Sequence, residues 1–370
     1  MEQERLSFLA LHFLPGIGDQ LTKQLIGYCG SAEQVFKTSK GRLLKIPGIG
    51  EVAADAIING DTFAQAEEEL LRARKSNTEI LFFTDKKYPH RLKQVEDAPS
   101  VLYFNGNVNL NLAKSVAIVG TRMATDYGRE MVEKIIQDLK VHEPLIVSGL
   151  AYGIDIQAHK QALKFQLPTI GVMGSGMDII YPAAHRDTAK KMTEQGGLLT
   201  ENHFGVKPDA HHFPARNRII AGMCDVLIVV EAAEKGGALI TAEIANSYNK
   251  DIFAVPGNIG QVHSEGCNKL IKTNKAHLLT SVKDIEYIMN WNSDSRQAGG
   301  TTLSLFEESA LLTPEERSVF QTLEKGAVML DDISIRTGIP LGQLASILLN
   351  LEFGGKVISL PGKIYKLSRR

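Results

Sequence analysis

The sequence predicts an α/β protein: a parallel sheet covered by helices on both faces, preceded by a helical module and followed by a winged helix. Three observations carry this. From residue 80 to about 285, short β-branched runs alternate with amphipathic helical stretches. Several of those runs end in glycine, as in VGT, SGL, MGSG and VPG. From residue 311 the pattern is three helices, then two short strands around a Pro-Gly turn.

Residues 1–75 form a compact helical module. LSFLALHFL has helical apolar spacing and stops at Pro15. LTKQLIGYCG, AEQVFKTS, GRLLKI, EVAADAIING and TFAQAEEELLRARK follow, separated by Gly, Ser and Pro. Nearly one word is written twice, LPGIG at 14–18 and IPGIG at 46–50, each ahead of a polar helical run. Such a turn either holds a phosphate backbone through its N–H groups or joins two helices.

Residues 80–287 supply the sheet. The strands are ILFFT, VLYFNG, SVAIVGT, LIVSGL, TIGVMGS, LLTEN, VLIVVEA, IFAVPG and HLLTS. Between the later ones lie GREMVEKIIQDLK, DIQAHKQALKFQ, DTAKKMTEQ and TAEIANSYN. Continuous apolar strands between amphipathic helices imply a parallel sheet buried on both faces. Ligands of such sheets sit beyond the carboxyl ends of the strands, so the glycine turns share one rim. Residues 288–308 are polar and aperiodic and read as a linker. Residues 309–370 hold the winged helix: TPEERSVFQTLEKG, LDDISIRTG, PLGQLASILLNLEFGG and the hairpin KVISLPGKIYKL.

The formal net charge of −1 gives no global field toward nucleic acid or anionic membrane, so a nucleic-acid site must be a local patch. The N-terminus, MEQER, is acidic where a signal peptide would be basic, and no apolar run approaches the ~18 residues of a membrane span. Cys29, Cys224 and Cys267 form no CxxC pair, which fits a reducing cytosol. His203, His211, His212 and Cys224 lack the tight spacing of a structural zinc site, and no metal is expected. A dinucleotide cofactor is excluded by its fingerprint. Gly174 and Gly176 have Ile179 where the third glycine belongs, and LIVSGL ends without the ribose-binding carboxylate. No GK[ST] phosphate loop occurs.

The rim is rich in glycine and cations. Gly120 precedes Thr121 and Arg122; Ser148 and Gly149 precede AYGID; HHFPARNRII places Arg216 and Arg218 around Asn217; Gly236 and Gly237 stand before a helix. Glycine turns at helix N-termini expose N–H groups to an anion, and guanidinium groups grip phosphate with paired hydrogen bonds. The pattern predicts a phosphate-binding cleft. Tyr181 and Phe213 lie near it beside prolines, and both core packing and stacking on a nucleobase are open to them. Asp155 and His159, four apart, could share a helix face, but Asp at a helix start is a capping residue. No catalytic group is assigned.

GTRMATDYG, SGLAYGIDIQAH, GSGMDIIYP, PARNRIIAGMCDVLIVVEA, GALITAEIA and AVPGN…GCNKLI resemble, in order, the motifs of the DprA/Smf family of DNA-processing proteins of bacterial transformation. The resemblance implies an extended Rossmann-like domain flanked by a sterile-alpha or helix-hairpin-helix module and a winged helix. It implies a cytosolic protein without enzymatic activity or cofactor. Such a protein binds and protects incoming single-stranded DNA, loads the RecA recombinase during recombination, and dimerises through the Rossmann-like domain. Its key arginine falls on Arg122 and its RNR segment on Arg216, Asn217 and Arg218. Many members carry Lys soon after the YP of the third motif; this chain reads YPAAHR, and Arg186 is the nearest replacement. The first hairpin turn is followed by Lys23 and is expected to make a weak DNA contact. The second is followed by Glu51 and Asp55 and is expected to be structural. The third helix of the winged helix contains no Lys or Arg, so protein contact or dimer support stands beside DNA reading as its role. The alternative function is a nucleotide-cleaving enzyme of the lysine-decarboxylase-like type, for which EKGGALITAE offers Gly236, Gly237 and Glu243 but no preceding Pro.

Overall fold

A computed structural model describes residues 2–291, 313–324, 326–353, 356–360 and 363–367. The chain forms two compact units, Met1–Ser293 and Asp294–Arg370, each with its own hydrophobic core.

The first unit opens with α1 (Glu2–His12), α2 (Asp19–Cys29), α3 (Ala32–Lys37), α4 (Lys40–Leu43), α5 (Glu51–Asn59) and α6 (Phe63–Lys75). The repeated turns share one construction. Gly16 and Gly48 both sit at φ +79°, in the left-handed region that favours glycine. Ile17 and Ile49 follow as buried plugs, and Gly18 and Gly50 cap α2 and α5. The hairpins touch where Gln24 Nε2 donates to the Pro47 carbonyl at 2.7 Å. The repeat is therefore a packing device.

At the first hairpin, where a weak DNA contact is expected, the N-cap Gly18 has open space around it. Lys23 is engaged within the chain, donating to the Glu96 carbonyl at 3.4 Å. Asp19 accepts from both the Ser100 N–H and its hydroxyl at 2.7 Å. The second hairpin is locked by Lys40, which pairs with Glu51 at 2.7 Å and Asp55 at 2.5 Å.

All nine expected strands form: β1 (Glu79–Phe82), β2 (Val101–Gly106), β3 (Ser115–Gly120), β4 (Leu145–Ser148), β5 (Thr169–Val172), β6 (Gly197–Thr200), β7 (Val226–Val230), β8 (Asp251–Ala254) and β9 (His277–Leu278). Their order is β1-β2-β6-β5-β4-β3-β7-β8-β9. From β6 to β9 every pair is parallel; β2 runs antiparallel to β6, and β1 to β2, making the sheet mixed. No long helix separates β1 from β2, so they pair as antiparallel neighbours. The order reverses between β3 and β7, which register from Val116↔Val226 to Gly120↔Val230. A crevice at the carboxyl ends of these two strands is the expected ligand position.

The helices of the sheet region are α7 (His90–Lys93), α8 (Asp126–Leu139), α9 (Ile154–Lys164), α10 (Arg186–Gln195), α11 (His212–Met223), α12 (Gly237–Ser247), α13 (Glu265–Lys272) and α14 (Val282–Ile288). Alternate strand residues feed opposite faces, as period two requires. Val116, Ile118, Val226 and Ile228 pack with α8, α9 and α14; Ala117, Val119, Leu227 and Val229 pack with α11, α12 and α13. Sequence periodicity did not pick out α11, α13 or α14. The helical module is continuous with the sheet region, because Phe8, Leu9 and Leu11 share one cluster with Phe82, Val101 and Tyr103. Ile288 ends α14 and Trp291 packs beneath α8 and α14, so the expected linker begins inside the sheet unit, and its residues 292–308 lie outside the described residues.

The second unit contains α15 (Pro314–Leu323), β10 (Val328–Met329), α16 (Leu330–Thr337), α17 (Leu341–Phe353), β11 (Val357–Leu360) and β12 (Ile364–Leu367). Its sheet runs β10-β12-β11, all antiparallel. Thr313 and Glu316 form a reciprocal capping box on α15. Phe320, Ile333, Leu344 and Leu348 lie in the core of this winged helix. The Pro-Gly turn of the hairpin lies outside the described residues. No helix among the described residues is long and apolar enough to cross a membrane.

Candidate functional site

β3 ends at Gly120 and passes the chain to Thr121 at the switch point. Thr121 is fixed from two sides: its N–H donates to the Glu231 carbonyl after β7 at 2.8 Å, and its carbonyl accepts from the Ile154 N–H of α9 at 3.1 Å. Arg122, next along, is exposed over a cleft of ≈ 680 Å³. The cleft brings together eight of the residues expected from sequence. Gly120, Thr121 and Arg122 form one wall; Phe213, Arg216 and Asn217 come from α11; Tyr181 and Gly237 complete it.

The Arg122 guanidinium stands 5.7 Å from the Phe213 ring centroid. Phe213 and Tyr181 are 5.9 Å apart with their planes at 38°. A cation and a second aromatic ring therefore both lie within 6 Å of Phe213, with Tyr181 52 % exposed. Arg216 forms the floor. It is 6 % exposed, donates through Nη1 to the Val172 carbonyl, and its Nε has no partner among the described residues. An unpaired donor buried in a cleft wall is costly unless a ligand or water accepts it. Burial pushes the Asp155 carboxyl above its usual range, against the pull of Arg216, and the same burial pushes the Arg216 guanidinium down. At the far wall Gly236 caps α12 without a side-chain hydrogen bond, and nothing lies within 4 Å of where a Gly237 Cβ would be. That helix end faces open cleft, a geometry that favours an anion.

Six expected residues do not line this cleft. Ser148 is wholly buried and donates to the Ile118 carbonyl at 2.6 Å. Gly149 supports the floor: a Cβ there would meet Asp155 Oδ2 at 2.3 Å and Arg216 Nη1 at 2.4 Å. Gly174 backs the Phe213 ring, which its Cβ would approach to 3.2 Å, and it lines a smaller recess that Arg122, Tyr181, Phe213 and Arg216 share. Gly176 is required by the His203 carbonyl, 2.5 Å from its missing Cβ. Arg186 begins α10 and does not line the cleft. Arg218 emerges from the opposite side of α11, where it pairs with Glu201, donates to the Asp97 carbonyl and lies 3.5 Å from Asp19. Residues two apart on a helix point roughly 200° apart, so Arg216 and Arg218 cannot both face the cleft.

His159 is shut away from solvent, its ring nitrogens 2.6 Å from the Gly149 carbonyl and 2.7 Å from Thr169 Oγ1. Burial pushes its pKa down to about 4, so the imidazole is neutral and structural. Glu243 is exposed, paired with Lys275 at 2.7 Å and outside the cleft, which removes the glutamate that the nucleotide-cleaving alternative requires. Sequence reasoning missed Lys235, Met123, Ile240 and His263 in the lining. Lys235 stood in plain view before Gly236; the other three carry no local signal.

Comparison with known proteins agrees with this architecture. The family described as DNA recombination-mediator protein A matches residues 79–290, and the DprA winged helix domain matches 307–363. Protein Smf of Synechocystis sp. is 31 % identical over 392 residues, covering 98 % of each chain. DNA processing protein DprA of Streptococcus pneumoniae is 44 % identical over 201 residues, 54 % of this chain and 71 % of that protein. The X-ray structure of the Streptococcus pneumoniae protein superimposes with a TM-score of 0.68 at 35 % identity, covering 76 % of this chain and 97 % of that one. DNA processing protein A from Helicobacter pylori, whose structure was described for its single-stranded DNA binding mode, gives a TM-score of 0.52 at 28 % identity, covering 58 % and 95 %. With two family domains matched in order and a relative aligned end to end, the chain belongs to the DprA/Smf family of DNA-processing proteins.

Proposed function

We propose that this chain binds single-stranded DNA in the cleft beyond β3 and β7 and loads the RecA recombinase onto it during transformation. The observation that carries the reading is the cluster of Arg122 and Tyr181 about Phe213, beside the buried Arg216. Phosphates are held by Arg122, by Arg216 Nε and by the open N-terminus of α12; bases stack on the exposed Tyr181 and the half-buried Phe213. The recombination-mediator description of its family and the single-strand binding of the Helicobacter pylori relative support this assignment. The protein acts in the cytoplasm as a homodimer through the sheet domain, and no catalytic step is assigned to it. In this reading residues 80–287 are the DNA-binding domain, 1–75 a supporting helical domain, 288–308 a linker and 309–370 an accessory winged helix. The test is titration of labelled oligothymidine with the full chain and with Arg122→Ala, followed by RecA-driven strand exchange on DNA pre-coated with single-strand-binding protein. Equal affinity of the two proteins at low salt would sink the cleft; strand exchange unaffected by the wild-type chain would sink the loading role.

A further inference from the structure

The AVPGN…GCNKLI segment meets the cleft just described only through His263, and it builds a second cavity. This cavity has ≈ 460 Å³, within the range of ligand pockets, roughly 300–1,000 Å³. His263 lines both cavities and forms the partition between them. The loop that walls the second one is held rigidly. Asn268 clamps Gly257 twice, Nδ2 donating to its carbonyl at 2.9 Å and Oδ1 accepting from its N–H at 3.2 Å. Tyr127 Oη donates to the Pro256 carbonyl at 2.7 Å.

On this fixed loop the exposed groups are unusual. Ile259 is 99 % and Val262 62 % exposed, flanking the side-chain amides of Asn258 and Gln261, which make no hydrogen bond among the described residues. His263 Nδ1 is buried and likewise unpaired. The cavity lining contains no Lys or Arg and does contain the Glu231 carboxylate, which caps α8 by accepting from the Thr125 N–H at 2.9 Å. A phosphate is therefore repelled from this cavity and attracted to its neighbour. Amides beside an apolar tip suit the edge and face of a nucleobase.

We infer that the second cavity continues the DNA path: it takes the base of a nucleotide neighbouring the one on Phe213, with His263 between the two and Asn258 and Gln261 meeting the base edge. This rests on the cleft binding single-stranded DNA, and the experiment separates the two. Six-residue oligothymidines, each with one 4-thiothymidine at a different position, are irradiated with the full-length protein and the linked peptides are identified by mass spectrometry. Some positions should link to the peptides of Tyr181 or Phe213, and a position one to three nucleotides away to residues 256–264. In parallel, Asn258→Ala combined with Gln261→Ala, both surface changes, should weaken hexamer binding roughly tenfold, the effect of losing one held base. Links confined to the Tyr181 and Phe213 peptides, with unchanged hexamer affinity in the double variant, would overturn the second subsite and leave the cleft standing. Absence of links to either region, with Arg122→Ala also unchanged, would overturn the cleft itself.

Discussion

Arg216 and Arg218 stand two residues apart on α11 and serve opposite sides of it: Arg216 forms the cleft floor, and Arg218 is held by Glu201, Asp97 and Asp19. Asp19 belongs to the first helical hairpin, so Arg218 ties α11 to the N-terminal module. The helix that presents Phe213 and Arg216 is thus positioned by a contact outside the cleft lining.

Arg218→Gln should lower unfolding stability by about 2 kcal/mol, below the 3–5 kcal/mol of a fully buried pair because its side chain keeps 17 % exposure. Single-strand affinity should drop with no change in the slope of log K against log salt, since no phosphate contact is removed. A flatter slope at unaltered stability would show that Arg218 does reach DNA.

Arg122→Ala should do the converse. The side chain is exposed, so the melting temperature should hold. Single-strand binding should weaken for every sequence, and the salt slope should flatten by about 0.7 to 1. Salt-dependent fluorescence titration measures both.

His159 gives a pH signature. Its imidazole takes a proton near 6.5 when unfolded but only at about 4 in the fold, so the unfolded chain is protonated first as pH falls. The stabilisation is complete above about 6.5 and is lost progressively toward 4, by about 3 kcal/mol at most. Glu201 works in the opposite sense. Burial raises its pKa to about 7 although Arg218 is paired with it, and Asp19 and Asp97 add to the rise, so its contribution weakens as pH rises from 4.5 to 7. Only the comparison with His159→Gln isolates the imidazole: the wild-type advantage in urea midpoint should shrink between pH 6.5 and 4. A constant advantage would mean that His159 is not the buried neutral base described.

Removing residues 309–370 should cost less than about tenfold in single-strand affinity. The third helix of that unit, α17, carries Leu341 and Leu349 on its exposed side and no Lys or Arg. Without cations it has little to offer a phosphate backbone. Titration of the truncated protein, with its dimerisation checked by light scattering, decides this.

The strands were legible because a parallel sheet buried on both faces needs unbroken apolar runs, and VAIVG and VLIVV supply them. Arg122 was legible because a cation directly after a strand-end glycine has few places to go. Arg218 was misread because α11 was not seen as a helix: Pro214 and the polar RNR segment mask its period, and without a helix the two arginines look equivalent. Ser148, Gly149 and Gly176 stand outside the cleft for another reason. Small residues at strand ends serve a close approach of protein atoms as readily as a ligand, and only coordinates show which. His263 joined the cleft through a loop returning from β8, a long-range fact with no local sign.

The choice between single strand and duplex tests the cleft most broadly. In the proposed reading its polar partners, the two arginines and the N–H groups at the start of α12, meet phosphates, which are the same for every base. Tyr181 and Phe213 offer ring faces, and a base must be unstacked to lie on them. Duplex DNA keeps those faces covered and is stiff, so it cannot follow a rim that turns from Arg122 to Gly237. Lys23 and Lys40, the lysines beside the hairpin turns, already hold partners within the chain, Lys23 at Glu96 and Lys40 at Glu51 and Asp55. Unlabelled single strand should therefore displace a labelled oligothymidine well ahead of duplex of matched length, with mixed sequences competing alike and all binding falling steeply with salt. If duplex competes as well as single strand, the binding surface lies outside the cleft, and Arg122, Phe213 and Tyr181 are not its centre.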